Sequence, residues 1–164
     1  MTTQVVRAGQ EDWAAVRDIR LRALSDAPEA FASRLSDERD RPESVWRDRL
    51  SSSDASTFLA LDDGDAVGLV TAYRDPDEHT RAHLVSLWVS PDRRGHGVAT
   101  ALTEAVLRWA QLAEIRTVGL WVTETNDAAR RLYERCGFAD SGARQPLPSH
   151  PHLQEMAMHR EITE

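Results

Sequence analysis

The residues between positions 93 and 100 are of types that could bind a phosphate. They read Arg-Arg-Gly-His-Gly-Val-Ala-Thr, and they stand between an apolar, strand-like run at 84–89 and a strongly amphipathic helical pattern. Glycines let the backbone approach an anion closely because they carry no Cβ. The N–H groups and the dipole at a helix N-terminus attract negative charge. The pattern therefore predicts a turn that holds a phosphate or pyrophosphate, with Arg93 and Arg94 adding positive charge.

Two common phosphate-binding loops do not fit this stretch. A P-loop needs a lysine on the terminal phosphates, and all twenty basic residues of this chain are arginines. The same absence of lysine excludes Schiff-base chemistry on a lysine amine. A dinucleotide-binding loop needs a third glycine or an alanine where this chain has Thr100. Neither class of nucleotide site is favoured by the sequence.

A second informative stretch covers residues 118–138. It opens with a short apolar strand pattern and continues to Asn126, a favourable residue for the N-cap of a helix. Apolar residues then recur at the spacing of one helix face: Ala129, Leu132, Tyr133 and Cys136. Gly137 follows as a natural helix end. The stretch therefore predicts a strand, a capped helix and a stop, in that order.

Together the two stretches resemble the signatures of the GNAT superfamily of N-acetyltransferases. Residues 94–99 are similar to its Arg/Gln-x-x-Gly-x-Gly/Ala loop, and residues 126–138 match its pattern Asn-x-x-Ala-x-x-Leu-Tyr-x-x-x-Gly-Phe. The resemblance covers residues 84–138. It implies that the glycine-rich loop binds the pyrophosphate of acetyl-CoA, and that the opened edge of the preceding strand binds the pantetheine arm and the acetyl carbonyl.

The resemblance also implies roles for individual residues. Tyr133 matches the tyrosine that protonates the departing CoA sulfur, although a tyrosine on an apolar helix face is otherwise a core residue. His83 stands where some members place a basic glutamate, and histidine titrates near neutrality; a partly exposed strand-entry histidine is the other interpretation. Glu124, Glu38 and Glu29 are alternative bases. The residues implied to bind acetyl-CoA are Leu87, Trp88, Val89, Arg94, Gly95, His96, Gly97, Val98, Ala99, Thr100 and Asn126.

The remaining patterns predict the elements that must position these residues. Strands are expected at 4–7, 57–61, 66–73, 82–89, 117–122, 137–142 and 153–160, and helices at 13–24, 42–50, 97–113 and 126–136. The order is that of a mixed α+β fold. The resemblance implies a mostly antiparallel, twisted sheet of six to seven strands with helices on both faces. A proline-rich loop, residues 145–151, is expected to separate the last two strands.

Composition limits the class of protein. The 164 residues are 41% apolar and 29% charged with a net charge of −7, which predicts one domain over 1–164. The sequence contains no basic tract of the kind that binds nucleic acid, so no nucleic-acid partner is expected. The absence of a long apolar run and of a leader pattern predicts a cytoplasmic protein with no membrane partner. A single cysteine precludes an internal disulfide, and no ligand spacing suggests a metal.

These observations lead to a functional expectation. We expect an acetyl-CoA-dependent N-acetyltransferase in which a primary amine, on a small molecule or a peptide, attacks the thioester directly in a ternary complex. The amine should bind between three weakly patterned segments, 25–41, 74–80 and 143–152. The two closing strands could pair across a homodimer. A non-catalytic acyl-CoA sensor of the same fold and a nucleotide-binding protein are the alternatives.

Overall fold

Seven strands form a single sheet in the computed structural model, which describes residues 3–31 and 33–163. In spatial order they are β1 (Thr3–Arg7), β2 (Ala55–Asp62), β3 (Asp65–Arg74), β4 (Arg81–Val89), β5 (Thr117–Thr123), β7 (His150–Glu161) and β6 (Ala139–Leu147). Only the β4–β5 pair is parallel; the other neighbours are antiparallel. The predicted fold class is confirmed.

Helices cover both faces of this sheet, as predicted. They are α1 (Trp13–Asp26), α2 (Leu35–Glu38), α3 (Glu43–Ser51), α4 (Val98–Leu112) and α5 (Asp127–Arg135). One core lies under α4 and α5 and contains the fully buried Leu102 and Val106. The second core lies under α1 and α3 around Ile19 and Trp46. Each such side chain contributes about 1.5–3 kcal/mol by leaving water, so both layers hold the sheet in place.

The end of the chain differs from the sequence-based expectation. Residues 145–151 do not form a long loop, because β6 continues to Leu147 and β7 begins at His150. Proline lacks an N–H and is tolerated in a strand mainly at a sheet edge. Pro146 satisfies this condition, since β6 is the outermost strand and pairs on one side only. The two closing strands therefore form one long hairpin.

The centre of the sheet is interrupted between β4 and β5. These strands pair only over Arg81–His83. Farther along β4 the register against β3 shifts, and Ser86 adopts a positive φ of 60°. A bulge of this kind bends the strand that carries it. Beyond His83 the two strands therefore diverge and leave an opening through the sheet.

Candidate active site

A groove of about 520 Å³ lies between the N-terminus of α4, the end of β4 and α5; we call it the α4–α5 groove. Gly95 and Gly97 both have a φ of +81°, a conformation that side chains rarely tolerate. A Cβ at either position would meet no atom within 4 Å, so the backbone faces open space. Helix α4 begins after Gly97 without a side-chain cap. Its first N–H groups are therefore available to an anion.

The structure brings together nearly all the residues that the sequence predicts for cofactor binding. Those lining the α4–α5 groove are Leu87, Trp88, Val89, Arg94, Gly95, Gly97, Val98, Ala99, Thr100 and Asn126. His96 is exposed and is not among the lining residues. In this loop, therefore, the neighbouring glycines and the helix start face the groove, and the imidazole does not.

The two arginines of the loop are paired with acids from other elements. Arg94 Nη2 lies 2.9 Å from Asp26 Oδ2 and its Nε donates to the Val89 carbonyl. Trp88 Nε1 donates to the same Asp26 oxygen, and these bonds hold the pKa of Asp26 below its usual value. Arg93 lies 2.9 Å from Asp62. The loop is thus less positive than two unpaired arginines would make it.

Helix α5 presents Tyr133 to the groove. Asn126 begins the helix, because its Oδ1 accepts the Ala129 N–H at 3.2 Å. The Tyr133 ring packs edge-to-face on Phe138 with centroids 5.7 Å apart, and only 7% of the residue is exposed. Burial raises the pKa of Tyr133 far above its ordinary value. The phenol therefore keeps its proton at neutral pH.

The gap between β4 and β5 is a small cavity of about 60 Å³, which we call the central opening. Residues 84–87 of β4 and 121–123 of β5 form its walls. Tyr133 lines both this opening and the α4–α5 groove. The groove and the opening therefore adjoin each other, with Tyr133 between them.

Sequence reasoning missed a second acid-base group at this opening. Glu155 of β7 lines it and is 6% exposed. It pairs in register with Thr123, whereas the adjacent Met156 packs into the core under α4. Since strand side chains alternate between faces, Glu155 lies on the α1–α3 side. The only signal in the sequence is an acidic residue beside an apolar strand pattern, which many exposed strands share.

The structure places His83 away from Tyr133. His83 Nε2 lies 2.7 Å from Asp75 Oδ2, and its ring lies 5.0 Å from that of Tyr73. His83 is not among the residues that line the groove or the opening. Among the alternative bases, Glu124 is ion-paired with Arg144 at 2.9 Å.

Glu38 is a buried acid on the α1–α3 side of the sheet. It lines a cavity of about 390 Å³ beneath α1 and α3, here called the α1–α3 cavity, and is 2% exposed. Its carboxylate accepts hydrogen bonds from Arg20, Arg41 and Arg49. Burial alone would raise the pKa of Glu38, but the Arg49 and Arg20 guanidiniums outweigh it and lower the pKa. Such a carboxylate is a poor proton acceptor.

The same network reaches the bulge of β4. Arg20 Nη1 donates to Ser86 Oγ at 2.6 Å, and Ser86 lines both the central opening and the α1–α3 cavity. Two of the predicted acceptor segments also meet beside the opening. Ser149 donates to the Phe31 carbonyl and Thr123 donates to the Glu29 carbonyl. The third segment, 74–80, contacts His83 through Asp75.

Metal centres and membrane-spanning helices are both absent from residues 3–31 and 33–163. No group of three His, Cys, Asp or Glu side chains in these ranges is arranged to hold a metal ion. Of the helices that the structure describes, none is both long and apolar enough to cross a membrane.

Comparison with known proteins gives consistent matches. The model of the acetyltransferase (GNAT) family matches residues 13–138. Mycothiol acetyltransferase of Thermobispora bispora is 34% identical over 133 residues, which are 79% of this chain and 42% of that protein. N-acetylaspartate synthetase of Rattus norvegicus is 38% identical over 86 residues, 52% of this chain and 28% of that protein. The chain thus spans less than half the length of these relatives.

The fold also matches a solved structure along its whole length. A GNAT-family acetyltransferase from Streptococcus pneumoniae superposes with a TM-score of 0.81 at 23% identity. The match covers 99% of this chain and 100% of that one. At this identity the likeness concerns the fold alone.

Proposed function

Since the chain belongs to the acetyltransferase (GNAT) family, we propose that it is an N-acetyltransferase that moves the acetyl group of acetyl-CoA to a primary amine. The observation that carries the proposal is that the α4–α5 groove and the central opening share Tyr133 as a lining residue. A donor in the groove and an acceptor in the opening would meet beside this tyrosine. The amine would attack directly, without a covalent enzyme intermediate.

The residues of the groove fit acetyl-CoA. The backbone of Gly95 and Gly97 and the uncapped start of α4 would hold the pyrophosphate, because they offer N–H groups without intervening side chains. Residues 87–89 of β4 lie beyond the last residue that pairs with β5, so the edge of β4 facing the opening would receive the pantetheine arm. Acetyl-CoA itself supplies the activated acyl group and the thiol leaving group.

The protein would assist transfer in two ways. Unpaired N–H groups of β4 at the opening would stabilise negative charge on the acetyl oxygen as the amine attacks. Tyr133 would give its proton to the sulfur as the carbon–sulfur bond breaks. Tyr133 holds its proton over the whole working range because its pKa is raised, and its place between the groove and the opening supports this role.

The acceptor would enter from the α1–α3 side, through the α1–α3 cavity and the segments that meet near Ser149. The names of the two relatives, mycothiol acetyltransferase and N-acetylaspartate synthetase, point to different small acceptors. We therefore propose an amine on a small molecule or peptide and no narrower class here. His83, predicted as the base from the sequence, contacts Asp75 and would have to act from outside the central opening.

Thiol release tests the proposal. Purified protein would be incubated with acetyl-CoA and, separately, each amino acid, ethanolamine, spermidine and a short peptide with a free N-terminus. The proposal predicts amine-dependent release of CoA thiol, with mass spectrometry showing one added acetyl group on that amine. Binding of acetyl-CoA without transfer to any amine would favour a sensor and contradict the enzyme assignment.

A further inference from the structure

We propose that Glu155 is the general base that removes a proton from the acceptor amine. The inference rests on the proposed function and names the group that the sequence left open. Glu155 and Tyr133 line the same central opening, Glu155 from β7 and Tyr133 from α5. One group can accept a proton on the acceptor side while the other gives a proton on the donor side.

The location of Glu155 on the acceptor side follows from its neighbours. It pairs with Thr123 on β5 and with Gln145 on β6. Thr123 donates to the Glu29 carbonyl, which belongs to the segment after α1. Ala30 of that segment also lines the opening. Glu155 thus lies beside the segment expected to contact the acceptor. Ala30 lines both the opening and the α4–α5 groove, whereas Glu155 lines the opening and not the groove.

The surroundings of Glu155 suit a base. Its Oε1 accepts a hydrogen bond from Gln145 Nε2 at 2.6 Å. Within residues 3–31 and 33–163 no arginine or histidine forms an ion pair with it, whereas Glu38 contacts three arginines and Glu124 contacts Arg144. Burial raises the pKa of Glu155, and the hydrogen bond from Gln145 opposes this only in part. A carboxylate with a raised pKa is a better proton acceptor.

The groups that face this carboxyl are few. Beside it in the opening, α5 contributes Tyr133 and Asn126, and β4 contributes Ser86. β5 contributes Thr123, and β6 contributes Gln145. Of these groups only the phenol titrates, and its raised pKa keeps it neutral. Glu124, on the chain just after β5, is ion-paired with Arg144. Among the residues that line the opening, Glu155 is the one carboxyl group.

The proton balance of the reaction closes with these two residues. Glu155, as a carboxylate, takes one proton from the acceptor ammonium, which becomes a neutral amine. The amine nitrogen forms a bond to the acetyl carbon, and the carbon–sulfur bond breaks. Tyr133 gives its proton to the departing sulfur and recovers one from the nitrogen as the amide forms. Glu155 then returns its proton to solvent.

The decisive experiment measures transfer against pH. Acetyl-CoA would be the donor and excess methylamine the acceptor, because so small an amine can reach the opening whatever the natural acceptor is. The variants are Glu155→Gln, His83→Gln, and Glu161→Gln as a control on the same strand, at its outer end. We expect Glu155→Gln to lower kcat by about 100-fold, the lower range for loss of a general base, and to remove the acidic limb of the pH profile.

Calorimetry with acetyl-CoA separates this inference from the proposed function. Glu155→Gln should bind acetyl-CoA with a Kd within about twofold of wild type, because Glu155 does not line the α4–α5 groove. If wild-type protein bound no acetyl-CoA, the proposed function would fail and the base assignment with it. If binding and transfer are normal in Glu155→Gln, or if His83→Gln alone loses the acidic limb, only the assignment of Glu155 is overturned.

A measurement without substrate tests the placement of Glu155. Because its folded pKa is raised, its contribution to the free energy of unfolding is fully present below the unfolded pKa and is lost as the pH rises through the folded pKa. The stability difference between wild type and Glu155→Gln should therefore fall as the pH rises from about 4. A difference that does not change with pH would contradict a buried, proton-accepting carboxyl.

Discussion

The two sides of the central opening are built in different ways. On the donor side, the α4–α5 groove is lined mainly by residues of two local stretches, 87–100 and 126–135, and the atoms proposed to hold the phosphates are backbone N–H groups at Gly97 and the start of α4. On the acceptor side, contacts join residues far apart in the chain: Ser149 donates to the carbonyl of Phe31, 118 positions away. The donor side depends on local conformation and the acceptor side on tertiary packing.

This difference bears on specificity. A backbone-lined groove keeps its chemistry as long as the turn and helix start keep their shape, so it suits a donor shared by a whole family. The acceptor side is made of side chains such as Glu38 and Glu155, which can change while the sheet stays the same. Substitutions on the two sides should therefore have separable effects on donor binding, acceptor binding and stability.

The largest effect is expected at the point where the sides meet. Tyr133→Phe removes the phenolic proton but keeps the ring that packs on Phe138. We expect kcat for acetyl transfer to fall by about 100- to 1,000-fold, with an unchanged Kd for acetyl-CoA measured by calorimetry. Cys136→Ala, which alters the same helix one turn later, is the matched control. An unchanged kcat in Tyr133→Phe would rule out its acid role.

The next effect concerns the acceptor side alone. Glu38→Gln leaves the buried Arg20 without its anionic partner. We therefore expect the free energy of unfolding to fall by about 3 kcal/mol. This value is near the lower end for a broken buried ion pair, because the other two partners, Arg41 and Arg49, are partly exposed. Chemical denaturation measures this loss. The Kd for acetyl-CoA should stay the same at temperatures where the variant is folded; weakened binding would show that the sides are not separable.

The pH dependence of that loss provides a sharper test. The folded pKa of Glu38 is lowered, so its stabilisation is present above the unfolded pKa and disappears as the pH falls through the folded pKa. The stability gap between wild type and Glu38→Gln should close in acid. For Glu155, whose pKa is raised, the stability difference between wild type and Glu155→Gln should instead close as the pH rises. The same trend at both positions would contradict these assignments.

A smaller effect is expected on the donor side. Gly97→Ala places a side chain at a positive φ, at a cost of about 1–2 kcal/mol, and it adds a Cβ to a residue that lines the groove. We expect a roughly tenfold weaker Kd for acetyl-CoA, 1.4 kcal/mol on the standard scale. Gly64→Ala is the control, because Gly64 has a similar φ of +84° in a distant hairpin turn. Equal changes in Kd would mean that the groove does not hold the donor's phosphates.

The smallest effect is expected at the start of α5. Asn126→Ala removes the cap that accepts the Ala129 N–H, which costs about 1 kcal/mol of stability. Thermal unfolding should show a lowered Tm, while the exposed neighbour Thr125→Ala should leave the Tm unchanged. Loss of acetyl-CoA binding beyond this cost would assign Asn126 a direct contact with the donor.

The sequence predicted the turn, the helix cap and the helix face that line the α4–α5 groove, because the signals for these features are local. The glycines at 95 and 97, the cap at Asn126 and the face that carries Tyr133 all follow from residues a few positions apart, and the element order follows from hydrophobic periodicity. Glu155 could not be found this way. Its burial depends on Gln145 across the hairpin and on the segment after α1, and pairings between distant segments have no signature in spacing.

Two other differences have the same origin. The loop expected at 145–151 is a paired strand because β6 is an edge strand that accepts Pro146, and strand order cannot be read from one strand's residues. The pairing of Arg94 with Asp26 likewise joins a loop to the end of α1, 68 positions away. Only the three-dimensional arrangement shows that this guanidinium is shared with an acid.

The central claim is that the donor side is a complete acetyl-CoA site that works without the acceptor. A calorimetric titration of wild-type protein with acetyl-CoA, with ATP and NAD as controls and no amine present, tests it most directly. The account predicts selective, micromolar binding of acetyl-CoA that is weakened in Gly97→Ala and kept in Glu155→Gln. Absence of binding, or equal binding of all three ligands, would contradict it.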